Sequence, residues 1–227
     1  LSVLLNTFPS FFLHLPTTFF IIVPLVGKAG AIYLSLTFGA ALLRLGAVLT
    51  CTHFMLPESS GYRHEEAAQK TDWKQLLRKT VRKFISRLTN ILVIVLPVYL
   101  IIALITDMGF FLWLRKSFAQ GFTSTFIPID AMSIVIFSLV AEFTSGYAAA
   151  GAMLDAGTLT VFQTILALLL GNIMAAPVRA LRHQMPYYIG IFSPVLGVRL
   201  MLASQGFRIG SLIIAGLIYV LGMNIIV

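Results

Sequence analysis

Positive charge is concentrated in one short part of this chain, and the stretches on either side of it are long and apolar. Eight of the 16 lysines and arginines lie between Arg63 and Arg87. Only 11% of the 227 residues are charged, whereas soluble domains contain about 25%. In lipid, only helices and closed barrels satisfy every backbone polar group, and the sequence lacks the alternating pattern of a barrel. The chain is therefore predicted to be an all-α integral membrane protein.

The net charge of +8 is compatible with nucleic-acid binding, but its distribution favours a membrane. A basic loop beside apolar spans is typical of a cytoplasmic loop next to anionic lipids. We therefore expect a multi-pass protein of the cytoplasmic (inner) membrane, with residues 56–88 on the cytoplasmic side. The expected partners are anionic lipids and a small polar solute, with no nucleic acid, and a homo-oligomer is compatible with the sequence.

Residues 71–88 predict an amphipathic helix within this loop. Its apolar stripe begins at Trp73 and ends at Leu88, and basic side chains cover the rest of its surface, as in helices that lie on lipid headgroups. The expected membrane-surface residues are Lys74, Arg78, Lys79, Arg82, Lys83 and Arg87.

Several apolar segments are long enough to cross about 30 Å of hydrocarbon. They are residues 29–54, 89–108, 129–152, 158–176 and 210–227. With the proline-interrupted stretches near each end, they predict about six to seven membrane segments, some of them broken or re-entrant. Arg44 lies late in the first span and either reaches towards the membrane surface or faces the protein interior.

Two proline-containing stretches share one spacing. The first contains Pro16, Pro24 and Gly27, and the same spacing recurs 170 positions later at Pro186, Pro194 and Gly197. A shared offset of this kind suggests an internal duplication, and all six residues are expected to break helices.

The duplication has consequences for topology. An odd number of crossings separates the copies, which predicts an inverted repeat like that of transporters with a midplane site. The same count leaves Arg179, Arg182 and His183 outside, against the positive-inside rule. Either these residues are drawn into the protein at a helix break, or one segment is re-entrant.

The duplication also divides the chain into three parts. Residues 1–55 are expected to be the C-terminal part of a first repeat, residues 56–88 the cytoplasmic loop, and residues 89–227 the second repeat. By this alignment, about 85 upstream residues would complete the first repeat, so we expect an N-terminally incomplete form of the protein.

Glu142 is the sharpest candidate for a functional residue. A carboxylate in the middle of a span is costly unless it is paired or hydrated, so Glu142 is expected either to mark a solute or ion path or to pair with Arg179 or Arg182. Thr144 and Ser145 follow on the same helix, where their hydroxyls would contact a solute or serve helix packing. They begin a run of small residues, which lets another backbone approach closely.

Further candidates lie near the second proline motif. The amide of Asn172 is expected to recognise a solute or to cap a broken helix. Arg179 and Arg182 are three residues apart, so they are expected to act together on an anion or on lipid headgroups. His14 and His183 lack the further ligands that a metal site needs, so no metal or cofactor is predicted, and no catalytic motif indicates an enzyme.

Three blocks of the sequence carry a resemblance to a known family. They are LTNILVIVLPVYLIIALITDMGFFLWLRKSF, AEFTSGYAAAGAMLDAGTLTVFQTILALLLGN and HQMPYYIGIFSPVLGVRLML, within about residues 88–205. The chain resembles the Gate or nucleoside recognition domain of integral membrane proteins, which is related to parts of concentrative nucleoside transporters, ferrous iron permeases and spore maturation membrane proteins.

The resemblance implies a membrane transporter or solute-gating protein for a nucleoside or another small polar solute. Two alternatives remain open from the sequence, namely a membrane scaffold or assembly protein without transport, and a divalent metal permease. The chain lacks the soluble GTPase domain of the iron permeases, which puts their mechanism in doubt here.

Overall fold

The structure is a computed structural model that describes residues 7–55, 73–109, 113, 128–140 and 143–226. The loop at residues 56–72 lies outside this part of the chain. The described elements, in order, are α1 (Thr7–Met55), α2 (Trp73–Asp107), a 3-10 turn (Ile129–Ala131), α3 (Met132–Val140), α4 (Phe143–Asp155), α5 (Val161–Arg179), a π turn (Ala180–Gln184), α6 (Met185–Ile191) and α7 (Pro194–Ile226).

Three helical segments among the described residues are long and apolar enough to cross a membrane. They are Phe12–Phe54, Val161–Ile191 and Pro194–Met223. The predicted all-helical class, suited to a membrane, is therefore confirmed, while the total number of membrane segments stays a prediction.

The first proline motif breaks its helix at one residue only. Gly27 has φ 58° and ψ −133° inside α1, so the helix has two parts that meet there. A positive φ is easily adopted by glycine and costly for other residues. Pro16 and Pro24 both lie within helical backbone, so the expectation of breaks at these two prolines is wrong.

At the second proline motif, the helix break does not fall at the position equivalent to Gly27. The helix ends at Phe192, whose φ of −107° and ψ of 174° are extended, and α7 begins at Pro194. Pro186 lies at the start of α6, and Gly197 lies within α7, so neither interrupts the chain as expected. The break falls 165 positions after Gly27, not 170, and the repeat itself stays a prediction.

Each break is followed by a glycine that packs against the backbone before the break. A side chain at Gly30 would meet the Ile22 carbonyl oxygen at 2.7 Å, and a side chain at Gly197 would meet the Tyr188 carbonyl oxygen at the same distance. Each glycine therefore lets the helix after the break lie close to the backbone before it.

Helix α2 joins two elements that the sequence analysis separated. The predicted amphipathic helix and the following span form one helix of 35 residues, Trp73–Asp107, so the expected boundary near Leu88 is wrong. Arg78 and Arg82 are exposed, and the side chains of Lys74, Lys79, Lys83 and Arg87 lie outside the described part of the structure. The apolar side chains Trp73 and Phe84 are 76% and 62% exposed.

Helices α3 and α4 form a helical hairpin, whereas we expected a single span over residues 129–152. The Ser133 hydroxyl lies 3.3 Å from the Met153 sulfur, and Ser138 lies against Gly146, so α3 and α4 run side by side in opposite directions. With 9 and 13 residues, the two arms are about 14 and 20 Å long. These arms are shorter than the hydrocarbon core of a bilayer, which favours the alternative that one segment is re-entrant.

Small residues allow the hairpin to pack closely against the neighbouring helices. Side chains at Gly146 and Gly171 would each collide with Ser138, which bridges the gap between α4 and α5, and a side chain at Gly151 would collide with the Leu25 carbonyl oxygen of α1. The predicted close approach of another backbone to the small-residue run is thus present.

The segment predicted as a span at residues 158–176 belongs to a longer rod. Thr160 caps α5 through a capping box with Gln163, and after Arg179 the helix continues through the π turn into α6. The π turn precedes Pro186, which has no N–H for an α-helical hydrogen bond. The predicted last span at residues 210–227 is likewise only the second half of α7.

One apolar core unites these helices. It contains Ile22 and Val26 of α1, Ile134 of α3, Tyr147 of α4, Ile165 and Leu168 of α5, and Leu212 of α7. The outer faces of α1 and α7 carry exposed leucine, isoleucine and phenylalanine side chains, as expected for helices that face lipid.

The close packing of the hairpin against α1 gives a first prediction. We expect Gly151→Ala to lower the melting temperature of the detergent-purified protein, because the added methyl collides with backbone and such overpacking costs about 1–3 kcal/mol. Gly206→Ala is the matched control, since a side chain at Gly206 in α7 meets nothing within 4 Å. A Gly151→Ala protein that melts no lower than the control would contradict this packing.

The hairpin also predicts a topology. Asp130 precedes α3 and Asp155 ends α4, so both should lie on the same side of the membrane. We expect Asp130→Cys and Asp155→Cys, each in a Cys51→Ser background, to react with a membrane-impermeant maleimide from one and the same side of sealed vesicles. Labelling from opposite sides would show instead that residues 129–155 cross the bilayer once.

Candidate functional site

A cluster of polar side chains lies inside the helical core, centred on Asn172 of α5. The Asn172 side chain is 7% exposed, and its Nδ2 donates to the hydroxyl of Tyr33 on α1 at 3.0 Å. Its Oδ1 accepts from Nη2 of Arg179 at 3.2 Å and from Nη2 of Arg208 on α7 at 3.5 Å. One amide therefore connects three helices that are distant in sequence.

Helix geometry explains why Asn172 and Arg179 meet. Seven residues are close to two full turns, so both side chains leave the same face of α5. Side chains on a helix lean towards its N-terminus, so the Arg179 guanidinium reaches back to Asn172. The Arg179 guanidinium also donates to the main-chain carbonyl oxygen of Asn172, at 3.4 Å.

Two phenol groups form one side of the cluster. Tyr33 and Tyr147 are 2% and 5% exposed, and their ring centroids lie 6.0 Å apart in an edge-on arrangement. Their hydroxyls also form a hydrogen bond with each other. Because Tyr147 belongs to α4, this contact brings the hairpin to the same site as α1, α5 and α7.

Arg44 extends the cluster along α1. It lies eleven residues after Tyr33, about three turns, and so shares its face of the helix. Its Nε is buried and has no hydrogen-bond partner within the described part of the chain. Its charge lies within coulombic range of Arg208. The sequence left two orientations open for Arg44. The buried Nε agrees with the orientation in which the side chain faces the protein interior.

A second polar pair joins α7 to the π turn. Gln205 donates through Nε2 to Oε1 of Gln184 at 2.6 Å, which connects α7 to the π turn. The Gln205 Oε1 is buried without a hydrogen-bond partner among the described residues. Gln205 lies about one turn of α7 before Arg208, so polar groups continue from the cluster towards the π turn.

The candidate residues of the sequence analysis have different outcomes. Asn172 lies in the interior of α5, so the expectation that it caps a broken helix is wrong. Arg179 joins the cluster, whereas Arg182 in the π turn is exposed, and the two do not act as a pair. His183 is exposed as well, so of the three cations only Arg179 is drawn inward.

The hairpin candidates are described only in part. Thr144 is exposed and Ser145 is half-buried at the start of α4. Glu142 lies in sequence between α3 and α4 and falls outside the described residues, so its role stays a prediction.

Four members of the cluster were absent from the predicted site, namely Tyr33, Arg44, Tyr147 and Arg208. The predicted last span begins at residue 210 and so does not include Arg208. In the structure, α7 begins at Pro194, which puts Arg208 near the middle of the helix. Tyrosines are common in apolar helices, so nothing in the local sequence distinguished these two.

The described residues contain no group of three or more His, Cys, Asp or Glu side chains that could hold a metal ion. Cys51 is exposed. The three carboxylates that the structure describes, Asp107, Asp130 and Asp155, are also exposed. The described site therefore combines guanidinium, amide and phenol groups, which bind through hydrogen bonds and positive charge.

Comparison with known proteins finds relatives in one archaeon. The chain is 26% identical to the uncharacterized protein MJ0871 of Methanocaldococcus jannaschii, over 96% of this chain and 68% of that protein. It is 25% identical to the uncharacterized protein MJ1556 of the same organism, over 92% of this chain and 66% of that protein. The chain thus spans about two thirds of the length of both relatives.

No family model matches the chain, and no solved structure matches it. The Gate resemblance therefore rests on the sequence blocks quoted above.

The hydrogen bonds of Asn172 predict a graded series of stabilities. We expect Asn172→Ala to destabilise the protein by about 1–3 kcal/mol, because two guanidinium groups lose an acceptor in an apolar interior. Tyr33→Phe removes a single partner and should cost less. Asn172→Asp keeps an acceptor for both arginines and should be the most stable of the three. Thermal unfolding in one detergent measures the order, and an alanine variant as stable as the unsubstituted protein would contradict the described network.

Proposed function

We propose that this protein is a multi-pass transporter or solute-gating protein of the cytoplasmic membrane, with its solute site at the cluster around Asn172. The observation that supports the proposal is the convergence of Arg179 and Arg208 on one buried amide. Ionisable groups within apolar helices are costly and are found mainly where they bind solutes or ions. The Gate resemblance points to the same class of function.

The broken elements support a path for the solute. Helix α1 breaks at Gly27, the chain breaks again before Pro194, and the hairpin of α3 and α4 packs against both α1 and α5. Transporters use such interrupted helices to present backbone groups at a site near the midplane. In this proposal, the hairpin and the break at Gly27, which adjoin the cluster through Tyr147 and Tyr33, move relative to α5 and α7 as the site opens to either side.

The remaining parts of the proposal follow from the charge pattern. Residues 56–88 lie on the cytoplasmic side, where the exposed Arg78 and Arg82 of α2 contact anionic lipids. The solute is a nucleoside or another small polar molecule. Glu142, next to the hairpin arms in sequence, carries a coupling proton or cation.

A transport assay tests this proposal. Purified protein is reconstituted in liposomes, and uptake is measured with labelled nucleosides, nucleobases, organic anions and divalent metal ions. We expect uptake of one solute class, lost in Glu142→Gln while the melting temperature is retained. Arg199→Gln serves as the control, because Arg199 is exposed at the start of α7 and should leave uptake unchanged.

The assay also separates the alternatives. One observation favours a scaffold, since the described apolar side chains of α2 are exposed and available to a partner or to lipid. A protein that takes up no solute, and is stabilised by none of them, would support the scaffold and contradict transport. Uptake of metal ions alone would favour the metal permease, and normal uptake by Glu142→Gln would refute the role of that residue.

A further inference from the structure

We propose that Arg208 and Arg44, beside Arg179 and Asn172, bind an oxyanion, the carboxylate or phosphate group of a solute. This inference rests on the proposed function, because it assigns a chemical class to the solute of the same site. The sequence predicted an anion at Arg179 and Arg182, whereas the cations that this inference adds are Arg44 and Arg208.

The first argument is the balance of charge. Three guanidinium groups from three different helices share the cluster, and the described carboxylates are all exposed. Outside the described residues, Glu142 is the one acid that does not belong to residues 56–72. A single carboxylate neutralises one of the three cations, so the cluster keeps positive charge in surroundings where an unpaired charge is costly.

The second argument is the number of hydrogen-bond donors. A guanidinium group has five N–H donors and no acceptor. Within the described part of the chain, Asn172 Oδ1 is the acceptor for the Arg208 side chain, at 3.5 Å, and it already accepts from Arg179 at 3.2 Å. The Arg44 Nε has no hydrogen-bond partner there. Arg208 and Arg44 therefore retain donors that a bound acceptor would satisfy.

The third argument is the repulsion within the cluster. The positive charge of Arg208 acts on the Arg44 guanidinium, and two like charges repel each other when no anion lies between them. An oxyanion between them would convert this repulsion into two attractions. The planar fork of a guanidinium also matches the two oxygens of a carboxylate or phosphate. A neutral solute would use the same donors but leave the repulsion in place.

The test compares pairs of ligands that differ in charge. Melting temperatures of the full chain in detergent are measured with succinate and succinamide, and with uridine 5′-monophosphate and uridine, at constant ionic strength. We expect stabilisation by the anionic member of at least one pair and a smaller effect or none with its neutral partner. In Arg208→Gln, the affinity for that anion should fall by at least tenfold, the approximate effect of losing one charged hydrogen bond.

Two further variants keep the result interpretable. Arg208→Lys retains the charge but loses the planar fork, so it should fold and bind the anion with intermediate affinity. Arg199→Gln removes an exposed charge from the opposite face of α7 and should bind as the unsubstituted protein does. Equal affinities in Arg208→Gln, Arg208→Lys and Arg199→Gln would overturn the inference.

The same measurement in nanodiscs identifies the source of the oxyanion. Stabilisation by phosphatidylglycerol over phosphatidylcholine, lost in Arg208→Gln, would assign the site to a lipid headgroup, whereas stabilisation by the soluble anions assigns it to a solute. Binding and transport of uridine but not of the anions would overturn the oxyanion site and leave the proposed function standing. Anion binding without uptake would support the site and contradict transport.

Discussion

The structure depends on how charge is accommodated inside an apolar bundle. A guanidinium group removed from water must find acceptors, because an unsatisfied charged group costs several kcal/mol in such surroundings. Asn172 supplies an acceptor to Arg179 and Arg208 and a donor to Tyr33. These contacts connect positions 139 and 36 residues apart in the sequence, so they join α1 and α7 to α5 alongside the apolar core.

Backbone contacts hold the remaining elements against this centre. The hairpin of α3 and α4 has short arms. Besides the apolar contacts of Ile134 and Tyr147, it packs closely at its own Gly146 and Gly151 and at Gly171 of α5. Association of helices in lipid depends on such close packing, since lipid is as apolar as leucine. The same packing carries Tyr147 to Tyr33. The polar cluster and the glycine contacts therefore stabilise one arrangement of α1, α3, α4, α5 and α7.

The sequence predicted the class of the fold better than its boundaries. The scarcity of charge was sufficient for an all-helical protein suited to a membrane, and the small-residue run indicated close helix packing. The hairpin was predicted as one span, because composition is the same whether a segment crosses or turns back. Asn172 and Arg179 were found as polar residues in apolar stretches. Tyr33 and Tyr147 were not predicted as site residues, because their role arises from a contact between helices. Arg208 was missed because the start of the last span was placed two residues after it.

The π turn at Ala180–Gln184 behaves as a one-residue insertion in an otherwise α-helical rod. An added residue rotates everything that follows by about 100° about the helix axis. Arg179, before the turn, contacts the interior cluster, whereas Arg182 and His183 within the turn are exposed. After the turn, Tyr188 of α6 enters a small core with Ala180 and Met201. Deletion of one residue from this turn would restore an ordinary helix and shift the phase of α6. The aromatic face of α6 that packs against α7 would then point in another direction, although the sequence of α6 would be unchanged.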